Sequence, residues 1–370
     1  MQKIQMVDLK GQYLKMKNEI DSAIKAVIDS SAFINGPQVK EFTTNLASYL
    51  GVKYVIGCAN GTDALQIALM ALDLKPGDEV ISPDFTFIAT VEVIALLGLK
   101  PILVDVDPDT FTIDPAAIRK VITPKTKAII PVHLFGLCAN MIEIMKIATE
   151  FNLVIIEDNA QAIGATYNDK TLKGMAGTLG TIGCTSFFPS KILGCYGDGG
   201  AMFTNNDFLA EKLRSIANHG SKIKYYNDEI GVNSRLDTIQ AAILNVKLKY
   251  LKQYILNRRK AAALYDDLLS GVKQVNTPFI PEYTDHIFHQ YTIKVSSGRD
   301  ELKKHLNEKG IPTMIYYPVP MHNQKAYKIE GNFPVSSTLK DTVLSLPMHT
   351  ELDSQQQEYI CEQIKIFFKH

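Results

Sequence analysis

The sequence predicts an α/β fold, a mainly parallel central sheet flanked by helices, followed by a smaller α+β domain. Three observations lead there. Short apolar runs alternate with segments of helical periodicity from about residue 54 to 158, the pattern of a parallel sheet covered on both faces. From about Leu236 this gives way to a long helical stretch, expected over about 236–269, and then to mixed elements. The chain has 370 residues, 46% of them hydrophobic, enough for one large and one smaller core. Domains are expected at 1–240 and 241–370, joined by that long helix.

The elements follow in order. LKMKNEIDSAIKAVIDSS (14–31) puts Leu14, Ile20, Ile24 and Val27 at helical spacing. A turn is expected at Asn35-Gly36-Pro37, and a second helix over 39–50 stops at Gly51. YVIGCANG (54–61) reads as a strand into a turn, TDALQIALMAL (62–72) as a helix, and EVISP (79–83) as a strand. A helix over 89–99 and strands over 101–107 and 128–136 come next. MIEIMKIATEF (141–151) is a helix and LVIIED (153–158) a strand. IGCTSFF (182–188) is a further strand, stopped by Pro189, which has no N–H for a ladder. Near the C-terminus lie QYTIKV (290–295), a helix over 301–310, the run TMIYYPV (313–319) and a last helix, QQQEYICEQIKIFFK.

Composition excludes several classes of function. The 39 basic and 39 acidic residues balance, with no long run of one sign, so no nucleic-acid or anionic-membrane surface is expected. MQKIQMVDLKGQY lacks the apolar core of a signal peptide, and no run is long enough to span a membrane. Cys58, Cys138, Cys184, Cys195 and Cys361 are scattered and never form CxxC. They suit a reducing cytoplasm and argue against a disulfide framework or a metal site.

The stretch TSFFPSKILGCYGDGG (185–200) carries the strongest chemical signal. Lys191 follows a strand end, between Ser186 and Ser190 on one side and a glycine-rich loop on the other. Ligands of α/β sheets bind at such ends. A sheltered lysine there can be neutral and nucleophilic, as a Schiff-base lysine must be. Asp158 ends LVIIED, where it can cap the next segment. It can equally keep a proton on the ring nitrogen of pyridoxal phosphate, which needs that proton to act as an electron sink. In CANGTDAL (58–65) a strand turns into a helix at Gly61-Thr62, and free N–H groups there with a threonine hydroxyl suit a phosphate. Ser186 offers a further hydroxyl. In SPDFTFIAT (82–90), one of Phe85 and Phe87 can stack on a flat ring. In GVNSRLDTIQAA (231–242), Asn233 and Arg235 precede a helix between the expected domains.

These segments, with EDNAQAIGA and GDGGAMFTNN, resemble the nucleotide-sugar aminotransferases of the aspartate-aminotransferase fold, and the resemblance runs from VDLKGQY to LPMHTEL. It implies the pyridoxal-phosphate-dependent transferase fold (aspartate aminotransferase type I). It places the cofactor on Lys191, Asp158 at the ring nitrogen, Phe87 on the ring and Gln161 facing it. Gly61, Thr62 and Ser186 match the family's phosphate contacts. Asn233 matches a residue lent across a homodimer with shared active sites. Family members with histidine at the lysine position remove a sugar hydroxyl instead; this chain keeps lysine.

The resemblance implies transfer of an amino group from L-glutamate to a keto-sugar nucleotide. The whole chain looks most like aminotransferases acting at C3 of UDP-2-acetamido-2-deoxy-3-oxo-glucuronate for bacterial surface polysaccharide (O-antigen, lipopolysaccharide). Arg235, Tyr316, Tyr317, Phe33 and Ser190 are the substrate residues expected from it. Phe33 stands where the family leads us to expect tyrosine, and Tyr316 where histidine is expected. A neutral 3-keto-6-deoxy sugar on dTDP therefore stays open, as does a 4-keto acceptor. So does another class, a non-catalytic regulatory protein that binds the cofactor.

Overall fold

In the computed structural model, residues 3–223, 225–327 and 329–369 are described. The helices are α1 Leu9–Lys15, α2 Lys17–Ser30, α3 Pro37–Leu50, α4 Gly61–Ala71, α5 Ala89–Leu96, α6 Pro115–Val121, α7 Met141–Phe151, α8 Asp207–Ala217, α9 Thr238–Leu248, α10 Leu251–Leu269, α11 Arg299–Glu308, α12 Pro334–Thr342 and α13 Ser354–Lys369. The strands are β1 Tyr54–Cys58, β2 Glu79–Pro83, β3 Lys100–Val104, β4 Thr126–Ile129, β5 Val154–Asp158, β6 Thr166–Asn168, β7 Lys173–Met175, β8 Ile182–Ser186, β9 Gly200–Thr204, β10 Ser221–Ile223, β11 Tyr226–Asn227, β12 Val275–Asn276, β13 Tyr291–Val295 and β14 Val343–Leu346.

Seven strands form the central sheet in the order β1-β9-β8-β5-β4-β2-β3. All neighbours are parallel except β9, which runs against both β1 and β8. The expected mainly parallel sheet is therefore present. β1, β2, β3, β4, β5 and β8 consequently end along one edge, the carboxyl edge, where ligands of such sheets collect. One apolar core packs α2, α3, α7 and α9 on one face, and a second packs α4, α5 and α8 on the other. A third joins α10, α11 and α13 to the small sheet β12-β13-β14. Among the described residues no helix is long and apolar enough to cross a membrane.

Several boundaries differ from the sequence expectation. The helix expected over 14–31 is two, α1 and α2, which meet at Met16. The expected helix over 236–269 is also two, broken at Lys249-Tyr250. In both places the apolar periodicity continues across the break, so pattern alone could not show it. The strand expected over 128–136 stops at Ile129, just before Pro131, and Leu134–Gly136 form a single 3₁₀ turn. The strand expected over 101–107 ends at Val104, and that over 182–188 at Ser186.

Candidate active site

The sheet register assembles the site. Gly200 of β9 pairs with Cys58 on one side and Ser186 on the other. The turn after β1 is thereby laid beside the end of β8. A Cβ on Gly61 would stand 2.7 Å from Cβ of Ser186, and one on Gly200 only 2.4 Å from the Asn60 carbonyl carbon. Backbone thus packs on backbone, and only glycine allows that approach. Asn60 caps α4, its side chain accepting from the Asp63 N–H (2.8 Å), and the helical ladder starts with Ala64 donating to the Asn60 carbonyl. The N–H groups of Gly61 and Thr62 lie ahead of that ladder, at the positive end of the helix, next to the Ser186 hydroxyl. This cradle fits a phosphate.

One strand over, Asp158 pairs with Cys184 of β8. Asp158 is 5% exposed, and its carboxylate is held at both oxygens: Thr90 donates from Oγ1 at 2.7 Å, and the Ala160 N–H donates at 3.1 Å. Thr86 bonds Thr90 in turn (3.2 Å). A hydrogen bond to a buried carboxylate contributes about 1.5–3 kcal/mol, enough to fix its orientation. The side chain of Glu157 points to the other face of β5, as strand alternation requires. It accepts from His133 Nε2 (2.7 Å) and from the N–H groups of Gly177 (2.8 Å), Leu179 (2.6 Å) and Gly180. The Ala139 N–H donates to His133 Nδ1, which puts the ring proton on Nε2, toward Glu157. The His133 N–H also donates to the Asp158 carbonyl (3.0 Å). The end of β5 is thus fixed from behind.

Lys191 lies in the loop after β8. Its N–H donates to the Phe188 carbonyl (2.8 Å). Some of its side chain meets solvent, yet burial lowers the amine to about 8, against the opposing pull of Asp158. A second lysine, Lys247 of α9, holds this loop by donating from Nζ to the Gly194 carbonyl (2.6 Å). Burial lowers Lys247 to about 8 as well. The imidazole of His289 is buried and lies within the field of Lys191; burial, then the charges of Lys191 and Arg258, keep it neutral.

Gln161 accepts from the Phe135 N–H at Oε1 (2.7 Å) and donates from Nε2 to the Tyr317 hydroxyl (2.9 Å). Burial pushes that hydroxyl up, so it stays protonated. Tyr317 packs edge-on to Phe85 (6.0 Å) and tilted against Phe87 (6.2 Å). Phe85 is 1% exposed and belongs to the core, whereas Phe87 is 54% exposed. An apolar ring held open beside the ends of β2 and β5 suits a flat aromatic ligand. Tyr316 is half-buried against the apolar cluster that contains Phe85.

The residues therefore fit pyridoxal phosphate. They offer a phosphate cradle, a buried carboxylate, an open ring and an amine that can be neutral. Ser190, beside Lys191, is half-buried. Asn233 and Arg235 flank Ser234, whose Oγ accepts from the Ala59 N–H (3.0 Å) just ahead of the cradle. Asn233 is exposed and bridges Asn218. Arg235 lines a separate cavity of about 920 Å³ with Lys40, Lys53, Arg214 and Lys222. Phe33, 44% exposed, lies on that side, its carbonyl accepting from the Thr238 N–H (3.0 Å). Sequence reasoning missed Thr90, Glu157, His133 and Lys247. Only Thr90 left a signal, a threonine four residues after Thr86 at a helix start.

A family model, the DegT/DnrJ/EryC1/StrS aminotransferase family, matches residues 14–365. Three relatives align along nearly their whole length. The UDP-2-acetamido-2-deoxy-3-oxo-D-glucuronate aminotransferase of Pseudomonas aeruginosa is 47% identical, over 97% of this chain and 98% of its own. A protein of Geobacillus stearothermophilus named pleiotropic regulatory protein is 49% identical, over 99% of each. The UDP-N-acetyl-3-dehydro-alpha-D-glucosamine 3-aminotransferase of Acidithiobacillus ferrooxidans is 46% identical, over 95% of each. Among solved structures, an aminotransferase of the same family from Brucella abortus superimposes with TM-score 0.93 at 44% identity, covering 98% of this chain and 99% of its own. NtdA from Bacillus subtilis, solved with bound cofactor PMP, superimposes with TM-score 0.90 at 34% identity, covering 96% of this chain and 82% of its own. The carboxyl-edge site and these matches agree: the chain belongs to the DegT/DnrJ/EryC1/StrS family of sugar aminotransferases, which depend on pyridoxal phosphate.

Proposed function

We propose that the protein moves the amino group of L-glutamate to C3 of UDP-2-acetamido-2-deoxy-3-oxo-glucuronate, in the cytoplasm, for surface polysaccharide such as O-antigen or lipopolysaccharide. The observation that carries the chemistry is Lys191, in the loop after β8, within the field of Asp158 at the end of the adjacent strand β5, beside the Gly61–Ser186 cradle. Full-length identity to the Pseudomonas enzyme supports the acceptor, and the Acidithiobacillus relative supports amination at C3.

Pyridoxal phosphate, when bound, supplies the electron sink. The chain supplies the rest. Gly61, Thr62 and Ser186 take the phosphate, joined from a second copy by Asn233. Phe87 and Gln161 orient the ring. Asp158 keeps a proton on the ring nitrogen. Lys191 Nζ would hold the cofactor covalently. As a free amine, Lys191 Nζ would accept the donor's α-proton and return the same proton as the acid of the next transfer. Arg235 pairs with a carboxylate or phosphate of the acceptor, because its planar fork can bind either bidentately. Phe33, Ser190, Tyr316 and Tyr317 shape the sugar pocket.

The acceptor is tested by kcat/KM for the UDP uronate against a dTDP-3-keto-6-deoxy sugar, in wild type and Arg235→Lys. Wild type is expected to prefer the uronate, and Arg235→Lys to lose about tenfold on it, one bidentate pair becoming a point charge. Preference for the deoxy sugar, which the Phe33 and Tyr316 departures would favour, overturns the assignment and leaves the cofactor chemistry standing.

The working unit in this reading is a homodimer with shared sites. Support comes from Asn233, Ile223, Tyr226 and Ile230, all exposed in one chain. Mixing Lys191→Ala with Asn233→Ala chains is expected to restore activity, since one site in each mixed dimer is then intact. A fully active monomer in sedimentation contradicts it.

The lowered Lys191 amine sets a pH expectation. Below about 8 the amine is protonated and cannot attack, so capture of pyridoxal phosphate by the apo-protein should rise about tenfold per pH unit up to that point and level off above it. A rise continuing through pH 10 would mean an ordinary, solvated lysine.

A further inference from the structure

We infer that Asp84 and His322 form a clamp that positions Tyr316 and Tyr317 for the sugar-nucleotide acceptor, an inference that rests on the acceptor reading above. Neither residue touches the cofactor in that reading. Both are positioning residues.

Asp84 follows the last residue of β2 and is fully buried. Its two oxygens are both engaged by one residue of a distant segment. Oδ1 accepts from the His322 backbone N–H at 2.7 Å, and Oδ2 pairs with His322 Nδ1 at 2.7 Å. Its carbonyl accepts from the Met321 N–H at 2.9 Å. Three hydrogen bonds thus fasten Met321-His322 to the carboxyl edge. Met321 fills an apolar pocket with Val91, Leu103 and Phe333, and the His322 ring stacks on Phe333 at 4.9 Å. The other end of the segment is fixed by Met314, which exchanges two backbone hydrogen bonds with Ser345 in the bridge to the small sheet (3.1 and 2.8 Å). Residues 314–322 therefore form a strap from the small sheet to the end of β2. Tyr316 and Tyr317 sit in its middle, and Pro318 and Pro320 stiffen the stretch between them and the clamp.

The strap closes a loop of contacts through the site. Asp84 stands two residues before Thr86, which reaches Asp158 through Thr90. Tyr317 reaches back to Gln161. A burial of this kind fixes distance: an unpaired Asp84 carboxylate inside the protein is strongly disfavoured, so the strap cannot lift without breaking a charge-assisted bond. Glutamate is small enough to be handled by the groups around Lys191. A nucleotide sugar is not, and in the acceptor reading Tyr316 and Tyr317 of the strap line its pocket. Tyr317 also bears on Gln161 and Phe87, so the clamp should weigh on both half-reactions and much more heavily on the acceptor one.

The test uses the holoenzyme and whichever 3-keto sugar nucleotide wild type turns over best, so that a wrong acceptor assignment shows in wild type and not in the variants. His322→Ala is expected to raise KM for that acceptor about tenfold, the loss of one charge-assisted bond, with a clearly smaller fall in the glutamate half-reaction. His322→Asn keeps an N–H where Nδ1 stood and should recover most of the loss. Asp84→Ala combined with His322→Ala should be little worse than Asp84→Ala alone, because the pair acts as a unit. Hydrogen exchange supplies a readout independent of turnover: amides 314–323 should lose protection in His322→Ala while β2 and β5 keep theirs. The inference is overturned by an unchanged acceptor KM, by an equal fall of the donor half-reaction, by no rescue in His322→Asn, or by unchanged exchange at 314–323.

Discussion

Replacing Lys191 with alanine is expected to remove covalent cofactor attachment and to lower amination at least about a thousandfold. Two losses combine. The covalent anchor goes, and with it the base that moves the proton, a role that contributes roughly 10²–10⁴ by itself. The fold should survive. Lys191 is held in its loop by its own N–H to the Phe188 carbonyl, a bond alanine keeps. The same loop stays pinned by Lys247 to Gly194. Removing a desolvated amine also removes a burial penalty, so thermal stability of the apo-protein should not fall. The check is absorbance of the reconstituted protein with a reduction step: borohydride should fix cofactor on wild type and none on the variant. Near-normal turnover by Lys191→Ala contradicts the role.

Asp158→Asn is expected to fold normally and to slow the glutamate half-reaction by about two orders of magnitude or more. The amide matches the carboxylate in size, and its oxygen can still accept from Ala160 while its NH₂ turns to Thr90, whose hydroxyl can accept instead of donate. What is lost is the negative charge that holds a proton on the ring nitrogen. A melting temperature near wild type with a strongly slowed half-reaction separates this from a structural effect. An unchanged rate returns Asp158 to a capping role.

How much of this was legible in the sequence depends on how local each feature is. Val154–Asp158, Glu79–Pro83 and the α4 start were readable because strand length, apolar content and the Asn60-Gly61 turn all lie within a few residues. That placed Asp158, Gly61 and Lys191 at strand ends. The sheet order then brought them together, and order is not written locally: β9 was hidden behind glycines, yet it is the strand that sets Gly61 beside Ser186. Partners far apart in sequence were illegible for the same reason. Tyr317 meets Gln161 across 156 residues, and His322 meets Asp84 across 238. The break at Lys249-Tyr250 was invisible because both sides keep one apolar face.

The catalytic reading and the regulatory alternative that the sequence left open diverge at a single step. Purified protein loaded with pyridoxal phosphate is mixed with L-glutamate in the absence of any sugar, while cofactor absorbance and 2-oxoglutarate are followed together. The account predicts conversion of the cofactor to its amino form with one equivalent of 2-oxoglutarate per site. An unchanged spectrum with no 2-oxoglutarate, from protein that has bound its cofactor, would contradict it.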